Sequence, residues 1–274
     1  MYTMIVPCST QPVLSLAVTC SLKDVTLQAK ARSLAQSLQL RQADSGDSQD
    51  QYQFLLVYTD KGLELQTLNP ETGRYTTALT TDYVSGSAQY RRLHGGGIQQ
   101  PLARAAGLKP GWRPTIIDAT AGLGIDGFIL ASLGCEVTLI ERSPVMGALL
   151  NDGLQRAANH LTTCELVTQK LRLLIGNARE IISNLAERPA TIYLDPMYPD
   201  RHTSALNKQE MRIIRLLVGD DGDAADLLTT ALAIATNRVV VKRPKGAPEL
   251  IAGPSHIIKM KNSRFDVYLT GLNK

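Results

Sequence analysis

The sequence lacks the cysteine patterns and long apolar runs that mark several classes of protein. Its four cysteines lie far apart and form no C-x-x-C pair, so neither a zinc cluster nor a dense disulfide framework is predicted. No segment approaches the roughly 18 apolar residues that a membrane-spanning helix requires. Free thiols are typical of a reducing compartment, and no Lys or Arg precedes the apolar segment at residues 13–18. We therefore expect a cytoplasmic protein without a membrane partner.

The sequence also lacks a large excess of charge of either sign. The chain has 29 basic and 25 acidic residues, a net charge of +4 over 274 residues. An excess this small can be scattered at random, so it indicates an anionic partner only weakly. Hydrophobic residues at 44% and charged residues at 20% are typical of a globular protein. The length predicts one large domain, or one ordinary domain with a smaller companion.

The first ninety residues have a pattern of their own. A helix is predicted from about Lys23 to Leu40, followed by a polar loop. The strands Phe54–Tyr58 and Leu63–Leu68 then flank a short turn, which is typical of an antiparallel meander. We therefore predict a small N-terminal α+β domain over residues 1–90.

From residue 91 the pattern changes to alternating strands and helices. Five apolar strands end at Asp118, Glu141, Ile175, Asp195 and Lys242, and a final hairpin adds two more. Such continuous apolar strands predict an α/β fold, a doubly wound, mainly parallel seven-stranded Rossmann-like sheet, over residues 91–274. A ligand is expected at the carboxyl ends of the strands.

A glycine loop follows the first of these strands. Residues 122–127 fit G-x-G-x-x-G, with Gly122 and Gly124 as the first two glycines, and Glu141 ends the next strand nineteen residues after Gly122. Glycines let the backbone approach a ligand, and a carboxylate at the second strand can accept hydrogen bonds from ribose hydroxyls. By spacing alone this is a dinucleotide fingerprint, so an NAD-dependent oxidoreductase is one interpretation. Any adenosine cofactor could use the same features.

Asp118, four residues before the first glycine, separates these cofactors. A carboxylate there would repel a pyrophosphate, whereas it could bind the ammonium of a methionine moiety. The segment 118–124 resembles the first motif of the S-adenosylmethionine-dependent methyltransferases. That resemblance implies that Glu141, with Arg142 beside it, holds the ribose. It also implies that the turn after the third strand lies against the adenine; the turn contains Asn177, Ala178 and Arg179.

A second motif, Asp195-Pro196-Met197-Tyr198-Pro199, ends the fourth strand. It resembles the Asn/Asp-Pro-Pro-aromatic motif of methyltransferases that act on conjugated amino groups, with Met197 in place of the second proline. The lone pair of such a nitrogen is delocalised, so its N–H groups must donate to strong acceptors while it is held in line. The Asp195 carboxylate and the Pro196 carbonyl can accept, and Tyr198 can stack on an extruded base.

Basic residues lie near both motifs. Arg91 and Arg92 precede the sheet domain, and Lys242 and Arg243 follow the fifth strand. In a helix predicted at residues 206–218, Lys208 and Arg212 share one face. Together these six residues predict an RNA-binding surface around a base pocket.

Over roughly residues 90–270 the chain resembles the bacterial ribosomal RNA small subunit methyltransferase J family. The resemblance implies transfer of a methyl group from S-adenosylmethionine to the exocyclic N2 amine of a guanosine in small-subunit ribosomal RNA, either free or in the assembled small subunit. It implies no metal. It also implies cofactor contacts at Ile125, Asp126, Glu141, Arg142, Ala178, Arg179 and Asp195.

Three alternatives remain open from the sequence. The same chemistry could act on adenine or on a protein glutamine. The glycine pattern alone allows an NAD-dependent oxidoreductase. A noncatalytic RNA-binding module would use the basic groups without the Asp195 chemistry.

Overall fold

A computed structural model describes residues 15–21, 24–43, 52–196, 213 and 222–271. The chain divides into two compact units, Met1–Leu79 and Thr80–Lys274. No helix in the described ranges has both the length and the apolar character needed to cross a bilayer.

The first unit is a five-stranded sheet with one helix. Its elements are β1 (Leu16–Cys20), α1 (Val25–Leu38), β2 (Arg41–Gln42), β3 (Phe54–Thr59), β4 (Gly62–Asn69) and β5 (Arg74–Thr80). Helix α1 begins where the Asp24 side chain accepts a hydrogen bond from the Leu27 N–H at 3.0 Å. It ends at Gln39, which has a left-handed φ of 55°. The predicted helix is therefore confirmed.

The sheet of this unit has the order β2-β1-β3-β4-β5. Strands β3 and β4 are antiparallel around the predicted turn. Strand β1, which the sequence analysis did not predict, pairs with β3 in parallel. The meander is thus only part of a mixed sheet, because a parallel pairing leaves no local turn signal in the sequence.

The second unit contains seven helices and seven strands among its described residues. The helices are α2 (Gly86–His94), α3 (Pro101–Ala106), α4 (Ile125–Ser132), α5 (Pro144–Ala158), α6 (Cys164–Lys170), α7 (Ala178–Ser183) and α8 (Ala224–Ile234). The strands are β6 (Ile116–Asp118), β7 (Val137–Glu141), β8 (Leu171–Ile175), β9 (Thr191–Leu194), β10 (Arg238–Pro244), β11 (His256–Lys259) and β12 (Ser263–Leu269).

These strands form one sheet in the order β11-β12-β10-β9-β6-β7-β8. From β10 to β8 every neighbour is parallel, and β12 is antiparallel to both β10 and β11. Buried apolar residues form a core cluster on each side, with Phe128 and Leu139 in one and Ile140 and Leu228 in the other. The doubly wound, mainly parallel seven-stranded fold is confirmed, including the final hairpin.

One predicted boundary differs from the structure. The helix predicted to reach Leu161 ends at Ala158, and α6 follows as a separate helix. Helix α6 has a weak sequence signal because Val167 is its one buried residue. The helix predicted at 206–218 lies outside the described residues except for Ile213, which is buried. The division into domains at residues 1–90 and 91–274 stays a prediction.

Candidate active site

The glycine loop joins β6 to α4. Gly122 and Gly124 have φ values of +55° and +70°, which glycine adopts without steric cost. A Cβ on Gly124 would lie 2.6 Å from the Tyr83 hydroxyl oxygen and from Leu150, so packing requires glycine there. A Cβ on Gly122 would meet no atom within 4 Å. The outer side of Gly122 is therefore open to an approaching ligand.

Tyr83 supports this loop from outside the motif. Its hydroxyl donates to the Leu123 carbonyl at 2.7 Å, and its ring stacks on Phe128 with centroids 4.6 Å apart. The side chain is fully buried. Sequence reasoning missed this residue, because it lies 40 positions before its partner and belongs to no motif.

Glu141 ties the same loop to the end of β7. Its Oε2 accepts from the Gly122 N–H and its Oε1 from the Ser143 N–H, both at 2.8 Å. A carboxylate oxygen can accept more than one hydrogen bond, so this arrangement fixes the carboxylate without exhausting its capacity. Glu141 thus lies at the loop, where the ribose contact was expected.

Asp118 lies buried at the carboxyl end of β6. The Thr120 N–H donates to its Oδ1 at 3.3 Å. Burial raises the pKa of Asp118 well above its usual range, and the negative charges of Asp126 and Asp195 raise it further. A cationic group brought to this position would stabilise the ionised carboxylate.

Asp126 stands in the first turn of α4 among three donors. Arg91 Nη1 contacts its Oδ1 at 2.5 Å, while the Tyr193 hydroxyl and Lys242 Nζ contact its Oδ2 at 2.6 and 3.2 Å. Burial alone would raise the pKa of Asp126, but Lys242 and Arg91 lower it to about 2. The carboxylate is therefore held ionised by the protein's own cations.

Lys242 extends the same network to Asp195. Its Nζ contacts Asp195 Oδ2 at 2.8 Å, and the Asp195 N–H donates to Thr120 Oγ1 at 2.6 Å. The Asp195 side chain is 40% exposed, so solvent or a substrate can reach it. Burial lowers the pKa of Lys242, but Asp195 and Asp126 outweigh it and raise the pKa above its usual range. Lys242 therefore carries a positive charge at neutral pH.

The other predicted cofactor residues follow β6, β7 and β8. Ile125 begins α4 and is partly buried. Arg142 pairs with Asp223 at 3.2 Å. The Asn177 side chain caps α7 by accepting from the Arg179 N–H at 2.9 Å, Ala178 is buried, and Arg179 pairs with Asp226 at 3.2 Å. The parallel sheet thus brings these residues to the carboxyl edge that also carries Asp118 and Asp195.

The four predicted RNA-binding residues that the structure describes do not share one exposed surface. Arg91 and Lys242 turn toward Asp126. Arg92 Nη1 donates to the Thr162 carbonyl at 3.5 Å. Arg243 is 4% exposed and donates to the Pro248 carbonyl, so burial removes it from a surface role in this conformation.

Several predicted residues lie outside the described part of the chain. They are Tyr198, with Met197 and Pro199 of its motif, and Lys208 and Arg212 of the predicted basic helix. Pro196, which directly follows Asp195, is described and buried. Within the described ranges, no group of three or more His, Cys, Asp or Glu residues could hold a metal ion.

Comparisons with known proteins point in one direction. Residues 33–270 match a family model described as "Putative SAM-dependent methyltransferase". The chain is 48% identical over 242 residues to "Ribosomal RNA small subunit methyltransferase J" of Desulfotalea psychrophila, covering 88% of this chain and 91% of that one. It is 50% identical over 250 residues to the protein of the same name from Aeromonas salmonicida, covering 90% and 96%.

A solved structure extends the similarity to the fold. It is the crystal structure of the SAM-dependent methyltransferase NGO1261 from Neisseria gonorrhoeae, which has a TM-score of 0.70 and 33% sequence identity to this chain. The similarity covers 94% of this chain and 97% of that one. Both units therefore lie within the span of the match.

Proposed function

This chain belongs to the ribosomal RNA small subunit methyltransferase J family, and on that premise we propose that it methylates the exocyclic N2 amine of a guanosine in small-subunit (16S) ribosomal RNA. S-adenosylmethionine is the methyl donor. The observation that carries the proposal is the position of Asp195. Its partly exposed carboxylate lies at the carboxyl edge beside the glycine loop, held by Lys242 at 2.8 Å. This acceptor can receive the N–H of an amino group brought toward the cofactor.

The glycine-loop side fits S-adenosylmethionine, which supplies a methyl group activated by its positive sulfonium. The open side of Gly122 allows close approach of the cofactor. Asp118 is proposed to accept from its ammonium and Glu141 from its ribose hydroxyls. The Asp118 carboxylate suits a cationic ligand better than a pyrophosphate, which argues against a dinucleotide.

The remaining proposed cofactor contacts surround the same loop. The backbone of Gly124 and Ile125, at the start of α4, is proposed to face the cofactor. The proposed contact at Asp126 now has a structural difficulty, since Arg91, Tyr193 and Lys242 already donate to it. Arg142 is proposed to lie beside Glu141 at the ribose, and Asn177, Ala178 and Arg179 are proposed to line the adenine.

The Asp195 side of the site is proposed to prepare the nucleophile. The lone pair of the guanine N2 is delocalised into the ring, so attack requires acceptors that favour a localised lone pair. The Asp195 carboxylate and the Pro196 carbonyl are proposed to accept the two N–H bonds and hold the nitrogen in line. As the nitrogen becomes cationic, its proton leaves to Asp195 or to water.

Lys242 is proposed to act on this step through Asp195. A charged ammonium 2.8 Å from Oδ2 is proposed to orient the carboxylate and restrict its rotation. Its second contact, to Asp126 at 3.2 Å, anchors the ammonium to α4. Lys242 is thus a positioning residue rather than the RNA contact expected from the sequence.

The RNA side is proposed from residue chemistry. Tyr198 is proposed to stack on the target base, and Lys208 and Arg212 to contact phosphates. Arg92 remains a candidate for the same role. We propose ribosomal RNA, either free or in the assembled small subunit, as the substrate, and we place the reaction in the cytoplasm.

Methyl transfer from isotopically labelled S-adenosylmethionine tests the proposal. Small subunits, and ribosomal RNA extracted from them, should be prepared from cells that lack the enzyme. We expect label in the RNA of at least one preparation, and the comparison identifies the preferred form. Label in ribosomal protein alone would contradict the proposal in favour of a glutamine methyltransferase.

Calorimetric titration tests the cofactor class. S-adenosylhomocysteine should bind the protein and NADH should not. Tight NADH binding without S-adenosylhomocysteine binding would instead support the oxidoreductase alternative.

A further inference from the structure

Helix α2 exposes an aromatic stack that the proposed reaction does not use. Tyr90 is 68% exposed, and its ring stacks on His94 with centroids 4.6 Å apart and an angle of 26° between the planes. The two residues are four positions apart, so they share one face of the helix. His94 Nδ1 also lies 3.1 Å from the Tyr90 carbonyl oxygen, which fixes the imidazole in place. A flat, preorganised apolar surface thus faces solvent.

The surroundings of this stack are basic. The last turn of α2 contains Arg91, Arg92 and His94, and the helix sequence contains no acidic residue. An exposed aromatic pair beside Arg92 combines the two features that bind single-stranded nucleic acid, a platform for a base and a positive charge for the backbone, whereas Arg91 is paired with Asp126. The same charge would disfavour docking a second copy of this helix against it.

A series of side-chain contacts joins helix α2, which carries the stack, to the reacting centre. Arg91, directly after Tyr90, contacts Asp126 at 2.5 Å. Lys242 then links Asp126 to Asp195, with contacts of 3.2 and 2.8 Å. Helix α2 therefore borders the edge of the sheet at which the target base is proposed to enter.

We infer that the Tyr90–His94 stack binds an unpaired base of the RNA substrate that flanks the target guanosine. The inference rests on the proposed function, since it assigns a binding surface to the same RNA. Stacking tolerates any base because each has a π face, so this contact adds affinity and placement rather than sequence choice. Because Arg91 is paired with Asp126, Arg92 is the arginine that suits the adjoining phosphate.

Steady-state methylation kinetics test the inference with Tyr90→Ala, using small-subunit RNA or subunits, whichever the wild-type enzyme methylates. We expect KM for the RNA to rise about fivefold or more, since base–aromatic stacking contributes roughly 1–3 kcal/mol per base. KM for S-adenosylmethionine should stay unchanged. Tyr90→Phe keeps the ring and should recover most of the lost RNA affinity.

Trp112 provides a matched control. It is a 52% exposed aromatic residue before the amino end of β6, at the opposite edge of the sheet from Asp195. Trp112→Ala should leave both KM values unchanged. An unchanged KM for RNA in Tyr90→Ala would overturn the inference, as would an equal rise in Trp112→Ala.

A fluorescence measurement reports stacking directly. Trp112 is the only tryptophan of the sequence, so the double variant Tyr90→Trp with Trp112→Phe places a single reporter on α2. Addition of the RNA should quench this reporter, while Trp112 emission of the wild type should not change. Unquenched emission at an RNA concentration that saturates methyl transfer would overturn the inference.

These outcomes are separable from failure of the proposed function. If the wild-type protein transfers no methyl group to RNA, the proposed function fails first. If the wild type is active and Tyr90→Ala matches it, only the base-stacking surface is refuted. A concentration-dependent sedimentation coefficient that Tyr90→Ala abolishes, without a change in KM for RNA, would overturn it in favour of self-association.

Discussion

The two halves of the site handle buried negative charge in different ways. At the glycine loop, backbone N–H groups donate to Asp118 and Glu141 at 2.8–3.3 Å. In the neighbouring ion-pair cluster, formed by Arg91, Asp126, Asp195 and Lys242, side-chain cations hold the carboxylates at 2.5–3.2 Å. The first half thus suits a ligand that brings its own positive charge. In the second half, the protein's own cations already neutralise the carboxylates.

Asp118 and Asp126 show this difference most sharply. They are eight residues apart, yet burial raises the pKa of Asp118 well above its usual range while Lys242 and Arg91, against burial, lower the pKa of Asp126 to about 2. Burial alone therefore does not determine the charge state of the carboxylates in this site. The placement of two cations from α2 and β10 does.

The largest effect is expected from Asp195→Asn. The amide keeps the size of the side chain but loses the strong acceptor. The rate of methyl transfer should therefore fall by about a hundredfold or more, which is the typical effect of losing one hydrogen bond that stabilises the transition state. S-adenosylhomocysteine affinity should change at most modestly, because Asp195 belongs to the ion-pair cluster. Single-turnover methylation and calorimetry measure the two quantities. Unaltered turnover would remove the role assigned to Asp195.

Asp118→Asn should affect the other half. Loss of a charge-assisted hydrogen bond should weaken S-adenosylmethionine binding about tenfold or more. The ammonium binds the ionised carboxylate, so wild-type affinity should rise as the pH rises through the elevated pKa of Asp118 and fall on acidification. The variant should lack this dependence. Equal pH profiles of the binding constant would contradict the assignment.

Asp126→Asn tests how much the ion-pair cluster contributes to the free energy of unfolding. Because the pKa of Asp126 is about 2 against an unfolded value of 3.8, its ionised form contributes about 2 kcal/mol to the free energy of unfolding. The contribution is present above about pH 4 and is lost as the pH falls through about 2. Urea unfolding at a series of pH values should show a shallower acid loss in the variant. A parallel shift at all pH values would exclude the ion-pair explanation.

The smallest of these effects is expected from Lys242→Met. Asp195 is partly exposed, so water screens its pair with Lys242, and the loss should lower kcat by about fivefold. KM for S-adenosylmethionine should change less than kcat, because the lysine acts through Asp195. Lys242→Arg restores the charge and should recover part of kcat. A pure rise in KM for RNA would return Lys242 to the RNA-binding role expected from the sequence.

The same division explains what the sequence could predict. The glycine-loop half rests on local signals: Gly122 and Gly124 follow a strand, and Glu141 ends the next one. Asp118 and Asp195 follow parallel strands, so they lie at the same carboxyl edge of the sheet. The alternation of strands and helices in the sequence was sufficient to predict this placement. The sheet of the second unit and the glycine loop could therefore be predicted from the sequence.

The ion-pair cluster was not accessible in this way. Arg91 and Lys242 looked like surface charges, since an isolated basic residue carries no local mark of a buried partner 35 or 116 positions away. Tyr83 was missed for the same reason. Contacts that depend on tertiary packing leave no periodicity or spacing in the sequence.

The central claim is that this site methylates the N2 amine of a guanosine in small-subunit ribosomal RNA. The direct test uses small-subunit RNA, or small subunits, from a strain that lacks the enzyme. These are incubated with S-adenosylmethionine and the protein, and the modified nucleosides are then mapped by mass spectrometry. We predict that N2-methylguanosine appears with the wild-type protein and is absent with Asp195→Asn. A methyl group on adenosine, or no methylated nucleoside from either substrate, would contradict the claim.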